Sequence, residues 1–331
     1  LTLFEQKLVP TMNKLTRNVW INVLKDSLMQ TLPMTLLGSI LCLLTVPGDL
    51  LGWEWCWNFW TPWNWTMGLL SVFIAVLIPL NYLEKKKLRR QRVAAMMTSI
   101  ACFFIIVNPI VLEDGVLGLA QTALGAGGML AAMLSGVLAS IVLEKFGKFS
   151  FFKQDSPMPD FVRAWFDQLL PCAICVIGMW LLVDMAGVNV FHLLQAAFSP
   201  IAKVAQTWYG MVILLFIEAF VYSMGISCWV MSPITNPILT MAIVANIEMA
   251  RNGVTDVALL NLYTQATIYC AYYAFGGIGN TLALNLMSLR SKSNKIKGLS
   301  RASIAPSIFN INEPIVFGMI AWNPFLMVPM W

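Results

Sequence analysis

Four long stretches without a charged residue do most to limit what this chain can fold into. They cover residues 27–48, 66–83, 93–112 and 115–143. Each is near or above the roughly 18 residues that a helix needs to cross a bilayer. Charged residues make up only 11% of the chain, against about 25% in a typical soluble domain. The sequence therefore predicts an all-α polytopic membrane protein.

The basic residues indicate how such a protein is oriented. Segments 1–26, 85–92, 145–163 and 290–301 hold 19 of the 21 Lys and Arg residues, whereas connections 49–65 and 113–114 hold none. Cytoplasmic loops carry the excess of Lys and Arg, so we predict that the N-terminus, 84–92 and 144–168 are cytoplasmic. The run KKKLRRQR in 85–92 is interpreted as this topology signal rather than as a nucleic-acid site.

Two amphipathic stretches are predicted to lie on the membrane surface. Residues 1–26 place apolar side chains at helical spacing with lysine and arginine between them, as interfacial helices do. Residues 156–170 show the same division between an apolar and a polar face. A fifth span is predicted to start after Pro171 and to end near Asp184.

The end of the chain combines an apolar run with residues that a simple span excludes. Residues 303–330 hold Asn310, Asn312, Glu313 and four prolines. Pro314 biases Glu313 away from helical geometry, and irregular backbone at membrane depth survives only where protein buries it or where it lines a wet cavity. A carboxylate there costs about 3 kcal/mol or more and indicates function. The alternative is a proline-kinked helix with Glu313 near the interface.

A second interrupted segment lies in the same half of the chain. Residues 224–246 are apolar but contain Gly225, Pro233, Asn236 and Pro237, so they cannot form one regular helix. Two interrupted apolar segments in one half are typical of a substrate site near the membrane midplane.

The run Asn312-Glu313-Pro314-Ile315-Val316-Phe317-Gly318, with Phe309-Asn310-Ile311 before it and Asn323-Pro324 after it, resembles the motif of a known family. That family is the membrane permease subunit, EIIC, of the bacterial phosphotransferase system, in its lactose/cellobiose/diacetylchitobiose branch. The resemblance implies ten or so spans in the intact protein and two re-entrant hairpins. It also implies a scaffold and dimerisation half at 1–186 and a sugar-transport half at 187–331. Because Trp331 stands within an apolar run, we expect the second half to continue beyond it.

The resemblance also implies the site residues. Glu313 would contact the sugar and orient or deprotonate its hydroxyl, beside Asn312 and Asn310. Gly225-Ile226-Ser227 stands where the family has Gly-Ile-His, so serine replaces the usual histidine. Gly277 and Asn280 lie in a stretch that resembles a glycine-rich turn before a sugar-lining helix, although close helix packing explains such glycines equally well. Trp229, Tyr222 and Tyr272 are candidates for stacking on a sugar ring, with packing as the simpler interpretation.

The partners implied are a sugar such as cellobiose or another β-glucoside, phosphorylated EIIB docking from the cytoplasm, EIIA indirectly, and a second copy of the chain. The EIIC subunit itself carries no phosphorylated residue in this family. No cofactor motif is present, and the spacing of the seven cysteines matches no metal site. An alternative function is a proton-coupled sugar transporter that uses Glu218 and Glu313. A non-transporting scaffold would leave both interrupted segments unexplained.

Overall fold

The computed structural model describes residues 18–31, 33–34, 37–38, 41, 44, 59–111, 117–147, 149–152, 159–225, 228–269, 273–308, 310–321 and 323–331. Helices dominate these residues, which confirms the predicted all-α class. The α-helices are α1 (Val19–Gln30), α2 (Trp60–Asn64), α3 (Leu70–Lys85), α4 (Arg92–Val107), α5 (Gln121–Leu124), α6 (Met129–Lys145), α7 (Asp160–Trp180), α8 (Val190–Ala205), α9 (Trp208–Ser223), α10 (Ser232–Arg251), α11 (Gln265–Thr267), α12 (Leu282–Ser288), α13 (Asn294–Ile308), α14 (Glu313–Ile315) and α15 (Pro324–Met330).

Shorter elements join these helices. The 3-10 turns are Met67–Leu69, Arg89–Gln91, Ala126–Gly128, Cys228–Met231 and Val257–Leu259, and π-helical turns extend α7 over Leu181–Met185 and α14 over Val316–Ile320. The strands found in the described residues are the two-residue antiparallel pair β1 (Ile110–Val111) and β2 (Leu117–Gly118).

Several helical segments of the described chain are long and apolar enough to cross a membrane. Four of them qualify individually: Trp60–Lys85, Arg89–Val107, Ala126–Lys145 and Phe161–Met185. The pair α8 and α9, bent by 93° at its break, qualifies as a broken span or a re-entrant loop. Three of the predicted charge-free runs fall on these segments, whereas half of the predicted span 27–48 lies outside the described residues.

Small residues let α3, α4 and α6 pack closely. A side chain at Gly136 of α6 would collide with Ile78 of α3. The hydroxyls of Ser99 in α4 and Ser135 in α6 are 3.4 Å apart. Close approach over small residues, together with hydroxyl bonds, is how helices associate where no water drives burial.

Charged residues tie the ends of these helices together. Glu84 accepts from Arg92 at 2.7 Å, and Glu144 pairs with Lys86 at 2.9 Å. Asp26 of α1 pairs with Lys85 at 2.6 Å. Burial alone would raise the pKa of Asp26, but its hydrogen bond with Lys85 and the charges of the neighbouring lysines leave that pKa below its usual value. The ends of α3 and α6 and the start of α4 therefore lie on one side of the bundle.

The prediction of a helix break at Pro171 is wrong. Helix α7 runs from Asp160 to Trp180 with Pro171 inside it, so the predicted surface helix and the predicted span are one element. Phe161, Trp165 and Leu169 of its first half remain exposed. The amphipathic face that the sequence shows is real, but it does not imply a separate helix.

Contacts within the chain define two compact units, and the change falls within α8. Asn22–Phe198 form one unit, and Ser199–Trp331 with the described residues 18–21 form the other. The boundary predicted at residue 187 stays a prediction. In the second unit a buried apolar core gathers residues from α9, α14 and α15, among them Ala219, Ile315, Val316, Ile320 and Met327.

Candidate substrate site around Glu313

The segment before Glu313 begins where α13 ends in a left-handed turn. Asn310 has φ +61°. The N–H of Ile311 donates to the carbonyl of Pro306 at 2.9 Å, and that of Asn310 to the carbonyl of Ser307 at 3.1 Å. This pair of bonds is the Schellman arrangement, in which asparagine is one of the few residues that accept left-handed geometry. The sequence thus ends α13 and turns the chain toward Glu313.

The Asn312 side chain is buried and fully engaged within the protein. Its Oδ1 accepts from the Tyr222 hydroxyl of α9 at 3.0 Å. Its Nδ2 donates to the carbonyl of Ile278 at 2.9 Å and to Oγ1 of Thr281 at 2.8 Å. These bonds use both amide protons. Asn312, which directly precedes Glu313, therefore connects this part of the chain to α9 and to the turn at 276–281.

That turn is built for close approach. Gly276, Gly277 and Gly279 have φ of +81°, +97° and +81°. A side chain at position 277 would overlap the Asn312 amide. Gly277 therefore leaves room for the Asn312 amide, whereas Gly276 and Gly279 approach Leu282 of α12 and Met330 of α15.

Two asparagines complete the turn. Asn280 has φ +53°, and its Oδ1 accepts from the N–H of Phe275 at 2.8 Å. Asn310 accepts at Oδ1 from the N–H of Gly276 at 3.0 Å. The predicted site residues Asn310, Asn312, Gly277 and Asn280 are thus brought together at one turn: Asn312 packs on Gly277, and Asn310 bonds the neighbouring Gly276.

Glu313 lies beside this turn. Contrary to expectation, it is helical: it begins α14, with Pro314 in the second position. Proline fits the first turn of a helix, where its missing N–H has no partner to lose. The Glu313 side chain is partly buried, and no hydrogen bond or ion pair within the described residues occupies its carboxylate. A carboxylate in this setting is available to accept hydroxyl protons from a ligand.

Ser227 lies outside the described residues, as does Tyr272, so their positions relative to Glu313 stay predictions. Gly225 follows α9 with φ +79° and is exposed. Tyr222 is fully buried against Asn312, which excludes the stacking role considered for it. Across the described part of the chain, no group of three His, Cys, Asp or Glu residues is arranged to hold a metal ion.

Glu218 has a partner that its own sequence surroundings do not predict. It is only 4% exposed, and the Tyr269 hydroxyl donates to its two carboxylate oxygens at 2.7 and 2.8 Å. Within the described residues, Lys203 forms no ion pair with Glu218. The sequence contains one chemical indication of this pair. A buried carboxylate requires a hydrogen-bond donor, and Tyr269 offers a hydroxyl within an uncharged run.

Comparison with known proteins decides the family. A sequence model described as phosphotransferase system, EIIC, matches residues 25–331. The chain belongs to this EIIC family. The resemblance inferred from the Asn-Glu-Pro motif is thereby confirmed, and the chain is a multi-pass membrane permease of the phosphotransferase system.

Relatives of known name agree with this assignment. The chain is 29% identical to the permease IIC component YwbA of Bacillus subtilis, over 98% of this chain and 78% of YwbA. It is 25% identical to the lactose-specific EIICB component of Staphylococcus epidermidis and 27% identical to that of Staphylococcus aureus, in each case over 97% of this chain. The chain spans only 57% and 58% of those two EIICB proteins.

The fold also matches a solved transporter. The crystal structure of ChbC, the IIC component of the N,N'-diacetylchitobiose-specific phosphotransferase system, superposes with a TM-score of 0.83 over 99% of this chain and 81% of ChbC. Sequence identity is 24%, so this likeness concerns the fold.

Proposed function

We propose that the protein binds a disaccharide on the outer face of the bacterial cell membrane, carries it inward and presents one hydroxyl to phosphorylated EIIB. The observation that carries the proposal is the Glu313 carboxylate, which is partly buried, unoccupied within the described residues and held in place by Asn312. Relatives named for lactose and a structural match named for diacetylchitobiose support a disaccharide. Cellobiose belongs to the same chemical class.

Glu313 has two tasks in this proposal. Its carboxylate accepts charge-assisted hydrogen bonds from sugar hydroxyls, and it orients or deprotonates the hydroxyl that becomes phosphorylated. The hydroxyl oxygen forms the new bond to phosphorus, the bond between phosphorus and EIIB breaks, and the hydroxyl proton passes to the carboxylate. Asn312, Asn310, Gly277 and Asn280 contribute by holding Glu313, and Gly225 and Ser227 are further candidates for contact with the sugar.

The partners follow from the same reasoning. EIICB relatives carry the C and B components under one name, which supports an EIIB partner for this chain. We place the docking face on the side where Glu84, Lys86 and Arg92 gather, which makes the N-terminus cytoplasmic. We assign dimer formation to the scaffold half, embedded in the lipid bilayer.

Energy coupling tests this function. Membrane vesicles containing the full-length protein are supplied with labelled cellobiose, lactose or N,N'-diacetylchitobiose in the external medium. We expect sugar phosphate to accumulate only with phosphoenolpyruvate and the soluble phosphotransferase components. Uptake of unmodified sugar driven by a proton gradient alone would favour the alternative, in which Glu218 and Glu313 relay protons.

A further inference from the structure

Helix α9 is connected to both Asn310 and Asn312, the two asparagines of the segment that leads to Glu313. Glu218 and Tyr222 are four residues apart and therefore share one face of α9. Tyr222 bonds Asn312 directly at 3.0 Å. Glu218 reaches the other side through Tyr269, whose hydroxyl donates to it at 2.7 Å and whose backbone carbonyl accepts from Asn310 Nδ2 at 3.1 Å.

We propose that Glu218 and Tyr269 are positioning residues for Glu313. Tyr269 links the buried carboxylate of Glu218 to Asn310. The Asn310 side chain in turn accepts a hydrogen bond from the N–H of Gly276 at 3.0 Å. The two anchors on α9 thus fix residues 310 and 312, and the backbone between them sets where the Glu313 carboxylate points. This inference rests on the proposed sugar-binding role of Glu313.

The burial of Glu218 explains why this anchor is rigid. A buried carboxylate is costly unless hydrogen bonds satisfy it. In the described part of the chain, Tyr269 is the hydrogen-bond donor to Glu218. Moving the Tyr269 ring would leave the carboxylate unsatisfied, so the tyrosine is held and its carbonyl stays aligned with Asn310.

A neighbouring tyrosine provides a matched control. Tyr273 donates its hydroxyl to the carbonyl of Leu215, also in α9, at 2.6 Å. Its ring contacts that of Tyr269, with centroids 6.3 Å apart. Tyr273→Phe therefore removes the same kind of bond to the same helix without touching the link to Asn310.

Hydrogen–deuterium exchange tests the link without any sugar. In the full-length protein in lipid, Tyr269→Phe should speed exchange of backbone amides in 310–318, and Tyr273→Phe should leave them at the wild-type rate. Equal exchange in the two variants would overturn the proposal.

Sugar binding tests the consequence. With the best-binding of labelled cellobiose, lactose and N,N'-diacetylchitobiose, Tyr269→Phe should raise Kd about tenfold, the effect of one lost hydrogen bond to a charged group. Glu218→Leu should do at least as much, whereas Glu218→Gln keeps an acceptor oxygen for Tyr269 and should stay within about twofold of wild type. A Glu218→Gln variant as impaired as Glu218→Leu would overturn the assignment.

A double variant separates positioning from general stability. If Tyr269 acts through Glu313, Tyr269→Phe should have little further effect on Kd in a Glu313→Gln background, because coupled residues are not additive. Full additivity would refute positioning and leave the proposed function intact. A Glu313→Gln variant that binds like wild type would instead refute the proposed function.

Discussion

Gly277 is the residue whose lack of a side chain matters most for the site. Its φ is +97°, and the Asn312 amide lies where a Cβ would be. Position 277 therefore has two requirements. It needs a left-handed backbone, and it must leave room for the Asn312 side chain, which is hydrogen-bonded through both its oxygen and its nitrogen.

A pair of alanine substitutions separates these demands. Gly253, which follows α10, has φ +81° with no atom within 4 Å of an added Cβ. Gly253→Ala should lower stability by about 1 kcal/mol through backbone strain alone and should leave sugar binding unchanged. Gly277→Ala should cause the same backbone strain and should also displace Asn312, which should raise the Kd for sugar at least tenfold. Binding isotherms and thermal unfolding of both variants check this, and equal binding by the two would refute this role of Gly277.

At this scale the sequence predicted the polar residues but not their contacts. Asn310, Asn312 and Glu313 stand out because amides and carboxylates are rare in apolar runs. The contacts of the Asn312 amide depend on Thr281 and Tyr222, which are 31 and 90 residues away in the sequence. Tyr269 was missed for the same reason, since nothing in its local sequence shows that Glu218 is its acceptor.

At the scale of elements, the prolines show which sequence rules hold in this fold. Pro233 and Pro314 lie in the first turns of α10 and α14, where proline starts helices. Pro171 lies inside α7, although a break was predicted there. Apolar length outweighs one lost backbone bond when a helix must cross a bilayer, because every alternative exposes more backbone to lipid.

Replacing Pro171 distinguishes the two interpretations of α7. An interior proline removes the bond to the carbonyl four residues earlier, at Asp167, and crowds it. Pro171→Ala should therefore restore this bond and raise the melting temperature in lipid, by the equivalent of about 1 kcal/mol or more. At a helix start the proline would be favourable, so a lower melting temperature would support two separate helices.

At the scale of the whole molecule, several of the charges from which the orientation is predicted are also paired in the structure. Glu84, Lys86, Arg92 and Glu144 meet where α3, α4 and α6 begin or end. The connection between α4 and α6, which contains β1 and β2, lies at the opposite ends of these two helices. It holds no basic residue. Residues 85–92 and 118–120 therefore lie at opposite ends of these helices, and we expect them on opposite sides of the membrane.

Thiol labelling tests this orientation. In a variant lacking the seven native cysteines, Arg89→Cys should react with an impermeant thiol reagent only after cells are opened. Leu119→Cys, exposed at the other end, should react in intact cells. The reverse pattern would place the proposed EIIB docking face outside the cell and refute it.

The central claim is that the Glu313 carboxylate contacts the sugar and prepares its hydroxyl. Glu313→Gln keeps the size and one acceptor oxygen but removes the charge. Binding should weaken by roughly 1.5–3 kcal/mol, the value of a charge-assisted hydrogen bond. Phosphoenolpyruvate-dependent phosphorylation should fall further, because general-base assistance is worth about a hundredfold or more.

The decisive measurement is the ratio of these two losses in the same membranes: equilibrium binding of labelled disaccharide and its phosphorylation by phospho-EIIB. Phosphorylation reduced well beyond binding, in a protein that still inserts, is the result expected for a carboxylate that acts on the hydroxyl. Wild-type values in both assays would contradict the account and make Glu313 a structural residue.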